Sequence, residues 1–371
     1  QAMITAYVEH IKLLLHQSEL GQFGWLMWFA DSTIDFLTSP LTGLRTRSYW
    51  PELVVALLIA GAIFVLRERR AGQGVRDFLC YCFPRRMFLH KSTWVDCQLI
   101  VLNNFCAGFF NLFWRFNIAF VTAVLISGLT HVFGPSPHLL RWTTATLLLF
   151  TALMALADDF GYYLFHLASH RIRWLWAFHK VHHSAETLTV FANVRVHPVE
   201  IAITGPFKAV TVGAVMAPAF YLGVGHPEVA TILGINLFSA LYRATGSQLH
   251  HTHIWLSWGR TIEHVLISPA MHQIHHSTAE RHWNKNLGGS FALWDWIFGT
   301  IYIPHGREEI TYGLGNGERQ PHPNVLAAYL VPFWEILPGR ERLVQEWRRL
   351  VQTAPGLLRQ RIGVRGDLSP P

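Results

Sequence analysis

Long apolar stretches almost free of charge recur along this chain of 371 residues, and they restrict its fold more than any other feature. Inside a bilayer every backbone polar group has to be paired within the protein, so such stretches are expected to be helices. Five candidate spans follow, at 49–66, 117–133, 142–165, 206–224 and 229–248. Arg115 and Asn117 interrupt the block 98–133, whose first half is read as interfacial or as an extension of the same helix. The turn Gly134-Pro135-Ser136-Pro137 closes that block, and Gly225-His226-Pro227 separates the last two spans. Composition agrees: 51% of residues are apolar and 14% charged, against roughly a quarter charged in soluble domains.

Charge asymmetry orients the layout. The connections 134–140 and 223–228 hold no Lys or Arg, whereas 67–97, 166–200 and 250–320 hold many. By the positive-inside rule the basic segments are cytoplasmic. The expected architecture is all-α: an integral-membrane helical bundle with a cytoplasmic helical cap. Residues 1–48 are read as N-terminal interfacial helices, with Trp25 and Trp28 suited to the headgroup zone, and 49–305 as the membrane domain. Residues 306–371 are read as a cytoplasmic tail in which Leu343, Trp347, Leu350 and Val351 recur at helical spacing beside Arg342, Arg348 and Arg349. The net charge of +7 suits an anionic membrane surface or an acidic protein partner. Nucleic acid is not expected as a partner, since no aromatic-basic platform is present. Cys80, Cys82, Cys97 and Cys106 have neither disulfide-framework nor zinc-ligand spacing.

Histidine carries the chemistry. Of 22 histidines, 15 fall between His166 and His282. His166 and His170 form an H-x-x-x-H pair, stacked on one helical face. His179, His182 and His183 form H-x-x-H-H, and His272, His275 and His276 repeat it. His250, His251 and His253 lie between them, just past the last span. Clustered imidazoles repel when protonated and waste hydrogen-bonding capacity when buried neutral without partners. Divalent metal satisfies them, and eight residues in three motifs exceed what one tetrahedral ion needs, so two ions are expected. All the clusters fall at the cytoplasmic ends of the spans. A metal transporter, which normally places its ligands near mid-bilayer, is the competing class, and a zinc-dependent lipid hydrolase a second.

The segments DFGYYLFHLASH (159–170), WAFHKVHHS (176–184), PAMHQIHHS (269–277), KNLG (285–288) and WDWIFGT (294–300) together resemble the fatty acid hydroxylase/sterol desaturase superfamily. The resemblance implies a di-iron centre held by His166, His170, His179, His182, His183, His251, His272, His275 and His276. It also implies O2 as co-substrate and hydroxylation, favoured over desaturation, of an unactivated C–H bond in a membrane lipid or other apolar molecule. Two electrons would come from an external donor such as a ferredoxin or a cytochrome b5-like protein, since no flavin, nicotinamide or haem motif is present. His197, in His197-Pro198-Val-Glu200, together with His250, His253, His264 and His282, are further candidate ligands or neighbours of ligands. Asp159 and Asp295 are candidates to hydrogen-bond a ligand ring. Two positions depart from the family pattern: Leu167 stands where many relatives carry Arg, and Leu287 where many carry an aromatic. No base, nucleophile or triad is expected, and the oligomeric state is left open.

Overall fold

A computed structural model describes residues 50–224, 229–232, 235–315 and 317–339. The expected helices of 1–48 and the amphipathic helix of the tail lie outside the described residues. Helix α1 spans Trp50–Ile63 and continues as a short π turn, Phe64–Glu68. Two short helices follow, α2 (Val75–Cys82) and α3 (Arg85–Phe88), before the longest element, α4 (Lys91–Phe133). Then come α5 (Thr144–Arg171), α6 (Arg173–His183) and α7 (Pro198–Leu222). The remainder is short: strands β1 (Thr231–Ile232) and β2 (Ile235–Asn236), α8 (Leu237–Arg243), α9 (Arg260–Glu263), α10 (Pro269–His275), α11 (Leu293–Phe298) and α12 (Val325–Ile336). Apart from the two-residue hairpin β1-β2, the described residues are helical or irregular, in agreement with an all-α fold.

Helices α5 and α7 are long and apolar enough to cross a membrane. At 1.5 Å per residue α5 is about 42 Å long, beyond the roughly 30 Å of bilayer hydrocarbon. The block 98–133 is part of one continuous helix, and the outer half of α4 exposes Phe120, Val124, Val132 and Phe133 as a lipid-facing surface would. Small residues let these helices approach closely. A Cβ on Gly161 of α5 would lie 2.6 Å from the Lys208 Cα of α7, and one on Gly213 of α7 would lie 2.8 Å from Val121 of α4.

One expected span is corrected. The segment 229–248 is not one helix: the hairpin, the seven-residue α8 and a 3-10 turn at Ser247–Leu249 replace it. Its apolar content is real, but Asn236 and Gly246 interrupt it, and side chains satisfy the freed backbone. Asn236 Oδ1 accepts from Phe238 N–H at 3.0 Å while its Nδ2 donates to the Thr151 carbonyl at 2.9 Å. Thr151 Oγ1 accepts from Ala230 N–H at 2.9 Å, so the broken segment returns along α5. Gly246 adopts φ +93°, a left-handed conformation that glycine takes without strain. Helix α1, expected as the first span, packs mainly on α2 and on 247–256. Glu52 in its first turn accepts from Arg243 at 2.6 Å and Gln248 at 2.9 Å, and Phe64 at its far end stacks on Tyr81, which meets His253. The first turn of α1 thus reaches 243–248, and its far end meets Tyr81 of α2.

The tail boundary at 306 is also corrected. Residues 310–336 close over the histidine region through the Ser277–Tyr312 bridge, the contact of His322 Nδ1 with Ser184 Oγ (3.0 Å), and packing of α12 on α6 and α4. Below them lies a fully buried ion pair, Arg195–Asp96 at 2.8 Å. Arg195 also donates to the Val181 carbonyl at 2.8 Å and to Ser184 Oγ at 3.0 Å, tying α4 to α6.

Helix spacing in the bundle makes one test simple. Gly161→Leu forces α5 from α7 and is expected to cost about 1–3 kcal/mol, lowering the unfolding temperature in detergent. Gly128→Ala on α4, where a Cβ meets nothing within 4 Å, is expected to be neutral or slightly stabilising. Equal behaviour of the two variants would contradict the packing.

Candidate metal centre

Nine histidines converge at the end of α5 that meets α6. His166 and His170 come from the last turns of α5, and His179, His182 and His183 from α6. His251 follows the 3-10 turn after α8, while His272 and His275 lie on α10 and His276 is its C-cap. Their ring nitrogens form two groups: His166, His170, His179, His183 and His275 in one, and His182, His251, His272 and His276 in the other, each within 4.8 Å. Helical geometry divides the motifs. In α6 the i,i+4 pair His179/His183 joins the first group and His182 the second; in the repeat, His272/His276 join the second and His275 the first. Each H-x-x-H-H motif therefore serves both groups. The groups adjoin: the rings of His183 and His276 stack with centroids 4.7 Å apart.

The hydrogen atoms can be placed by elimination. His166 Nδ1 lies 2.7 Å from the Leu287 carbonyl, His275 Nδ1 2.8 Å from the Lys285 carbonyl and His182 Nδ1 3.2 Å from the Arg195 carbonyl. Carbonyls only accept, so these Nδ1 atoms carry the proton and the Nε2 atoms carry lone pairs. His179 Nδ1 meets Glu200 Oε1 at 2.9 Å, a contact in which either atom can carry the proton. The lone-pair side then becomes crowded. His166 Nε2 lies 3.0 Å from His179 Nε2, and His251 Nε2 lies 2.9 Å from His272 Nε2 and 3.2 Å from both His182 and His276. One N–H cannot serve three such contacts. His170 Nε2 and His275 Nε2 are buried with no hydrogen-bond partner. Nitrogens at right angles on bonds of about 2.1 Å would sit about 3 Å apart, so the spacing fits one cation per group.

Burial keeps the rings neutral. It holds His179, His183, His272 and His276 well below the usual imidazole range, assisted by neighbouring histidines, and brings His275 down to about 4. The carbonyls that orient the rings are themselves built in. Asp295 is fully buried and accepts from Leu287 N–H and Gly288 N–H at 2.7 Å and from Thr300 Oγ1 at 2.6 Å. Burial raises its pKa, and those three hydrogen bonds oppose the shift. Asn286, at φ +55°, donates to the Met271 and Tyr302 carbonyls. Asp159 accepts from Ser290 N–H at 2.7 Å, Phe291 N–H at 3.1 Å and Trp294 Nε1 at 3.1 Å.

Several candidates stand apart from the two groups. Asp159 and Asp295 were expected to bond a ligand ring; instead they brace the 285–300 loop, because their carboxylates are consumed by backbone N–H groups. His197 caps α7, its Nδ1 accepting from Val199 N–H and its Nε2 facing the Tyr329 carbonyl. His250 stacks on His272 at 4.9 Å, with Nε2 on Tyr242 Oη and the Ile267 carbonyl. His253 Nε2 faces the Tyr81 carbonyl, His264 Nδ1 the Arg260 carbonyl, and His282 pairs with Glu308 at 3.1 Å. Glu200 was given no role from sequence, although it stands three residues after His197 in the quoted motif. Leu287, one of the two departures, touches His166 through its backbone carbonyl, a contact independent of its side chain.

The comparisons with known proteins bear on this region. Residues 151–300 match the sequence profile described as fatty acid hydroxylase. Human alkylglycerol monooxygenase is 30% identical over 159 residues, 43% of this chain and 32% of that protein. Ornithine lipid hydroxylase OlsE of Rhizobium tropici is 29% identical over 146 residues, 39% and 40% of the two chains. A putative Delta(7)-sterol-C5(6)-desaturase of Arabidopsis thaliana is 24% identical over 161 residues, 42% and 49%. The matches thus span a third to a half of these relatives' lengths. No solved structure matches.

Two outcomes test the centre. An unfolded histidine titrates near 6.5, whereas folded His275 takes a proton only near 4. Below about 6.5 the unfolded chain binds protons that the folded site refuses, so metal-free protein loses stability progressively as pH falls from about 6.5 to about 4. A flat melting temperature across that window would show that the rings are not held neutral. Asp295→Ala leaves three buried donors without an acceptor and is expected to cost about 2–5 kcal/mol. It should also weaken metal binding by about 10–100-fold, measured by competition with a chelator.

Proposed function

From the match of residues 151–300 to the fatty acid hydroxylase profile, we propose that this chain is a membrane di-iron oxygenase that hydroxylates an unactivated C–H bond of a lipid. The observation that carries the reading is the pair of adjoining groups, five and four histidines, whose Nε2 lone pairs face one another. An all-imidazole set without thiolate suits iron, and the family favours it over zinc. The nine grouped histidines are the proposed ligands. Iron bound there would supply O2 activation, with one oxygen entering the C–H bond and the other leaving as water on uptake of two electrons and two protons.

The chain's own residues have three tasks in this reading. Nδ1–H bonds to the carbonyls of Leu287, Lys285 and Arg195 and to Glu200 hold four rings at fixed angles and raise their basicity. The braced loop 285–300 and the closing segment 310–336 wall the site, so water reaches it chiefly through the cavity beside His170, His183 and His275. The membrane-length helices α5 and α7 favour a site near a bilayer boundary, where an amphipathic lipid can present one carbon.

Lys and Arg enrichment near the histidine end supports a site on the cytoplasmic side, at the inner membrane in a bacterium. Exposed Arg85, Arg86, Arg281 and Arg307 there suit an acidic electron carrier such as a ferredoxin or cytochrome b5-like protein. Substrates of the alkylglycerol or ornithine-lipid type are the first to try, given the relatives' names. Desaturation is the second reading, favoured by the sterol desaturase relative.

Purified protein loaded with ferrous iron should consume O2 only with reductant and lipid, giving a product heavier by one oxygen. Loss of two hydrogens would move the reading to desaturation. Turnover by zinc-loaded protein without O2, or ion movement across liposomes without O2 uptake, would overturn it.

A further inference from the structure

The two histidine groups differ in access. A cavity of about 300 Å³ opens beside the five-histidine group, lined by His170, His183 and His275. Beside the four-histidine group, among the described residues, lies a void of about 20 Å³ at His251, which is room for about one water. Buried ring nitrogens without partners occur in both groups, His170 Nε2 and His275 Nε2 on the open side and His272 Nδ1 in the four-histidine group, so access and not orphaned nitrogens separates the two.

The cavity wall is made by cap residues, not by α4 or α7. Trp176 packs against His170 at 5.2 Å and His183 at 5.4 Å. Trp283 is fixed by its Nε1–H bond to the Thr278 carbonyl at 3.2 Å, and a Cβ on Gly315 would strike its ring at 2.6 Å. Leu314 projects from a loop pinned at one end by the Thr278–Thr311 backbone bond (2.9 Å) and at the other by Lys180–Glu318 (2.9 Å). Lys180 sits between the motif histidines of α6, so the wall is tied directly to the ligand helix. Ser277, Asn284 and Glu318 add hydrogen-bonding groups to this lining.

We propose that this cavity holds the oxidised segment of the substrate at the five-histidine group alone, and that Leu314, between Trp176 and Trp283, sets its width. This inference rests on the oxygenase reading. At about 300 Å³ the cavity is at the lower end of ligand sites and takes one end of a lipid, not a whole long-chain molecule. Ser277, Asn284 and Glu318 offer further hydrogen bonds to a hydroxyl- or amine-bearing end, which an alkyl end would not use.

Leu314→Cys offers a readout independent of turnover. In full-length protein in nanodiscs, without reductant, N-ethylmaleimide labelling of that cysteine is followed by peptide mass spectrometry, which separates it from Cys80. At about ten times its dissociation constant, 1-O-hexadecylglycerol should slow labelling about tenfold, and hexadecane should not. Absence of protection, or equal protection by hexadecane, would overturn the proposal. A second arm compares Leu314→Trp with Leu314→Ala at unchanged metal content: the first should lose binding of the larger-headed lipids and the second gain it. An unaltered head-group preference in both would also overturn it. If protection is seen but no O2 is consumed, the cavity assignment stands and the oxygenase reading fails.

Discussion

Neutral imidazoles aimed at one another by their own hydrogen bonds are the constraint on which the rest of this structure depends. A ring that donates from Nδ1 to a fixed acceptor has only a lone pair left at Nε2. Crowding ring nitrogens about 3 Å apart in a buried space, as His251 Nε2 is against His182, His272 and His276, is unfavourable unless a cation lies among them. The carbonyls of Leu287 and Lys285 are held by Asn286 and Asp295, and those residues are held by Thr300, Tyr302 and Met271. Rigidity thus spreads outward from the rings through backbone, not through a row of charged side chains.

The membrane-length helices and the cap serve this arrangement differently. Helix α5 delivers two histidines at its end, while Gly161 lets α7 approach and bring Glu200 to His179. The broken return segment then carries His251 back to the same end, its interruptions satisfied by Asn236 and Thr151. Arg195 and Asp96 lock α4 to α6 in a region where an unpaired charge would be very costly. Residues 310–336 complete the enclosure on one side and leave the five-histidine group reachable on the other.

Much of the centre was legible because ligands obey helical spacing. The i,i+3,i+4 pattern of His179, His182 and His183 shows on its own that three rings share a face. It does not show that i+3 turns to the other group, which depends on where α10 and His251 arrive. The carbonyls that orient the rings leave no mark in a sequence, since every residue has one, and so Asp159 and Asp295 were assigned to rings when they act on the loop that presents those carbonyls. Hydropathy had the same blindness at 229–248: it registers apolar content, not continuity, although Asn236 and Gly246 were visible interruptions.

Titration of metal-free protein with cobalt, counted from its visible absorption, addresses the paired groups most directly. The wild type should take up two equivalents, with His170→Ala and His251→Ala each retaining about one, from opposite groups, and the double variant none. A wild type that binds one ion or none, or single variants that still bind two, would contradict the account.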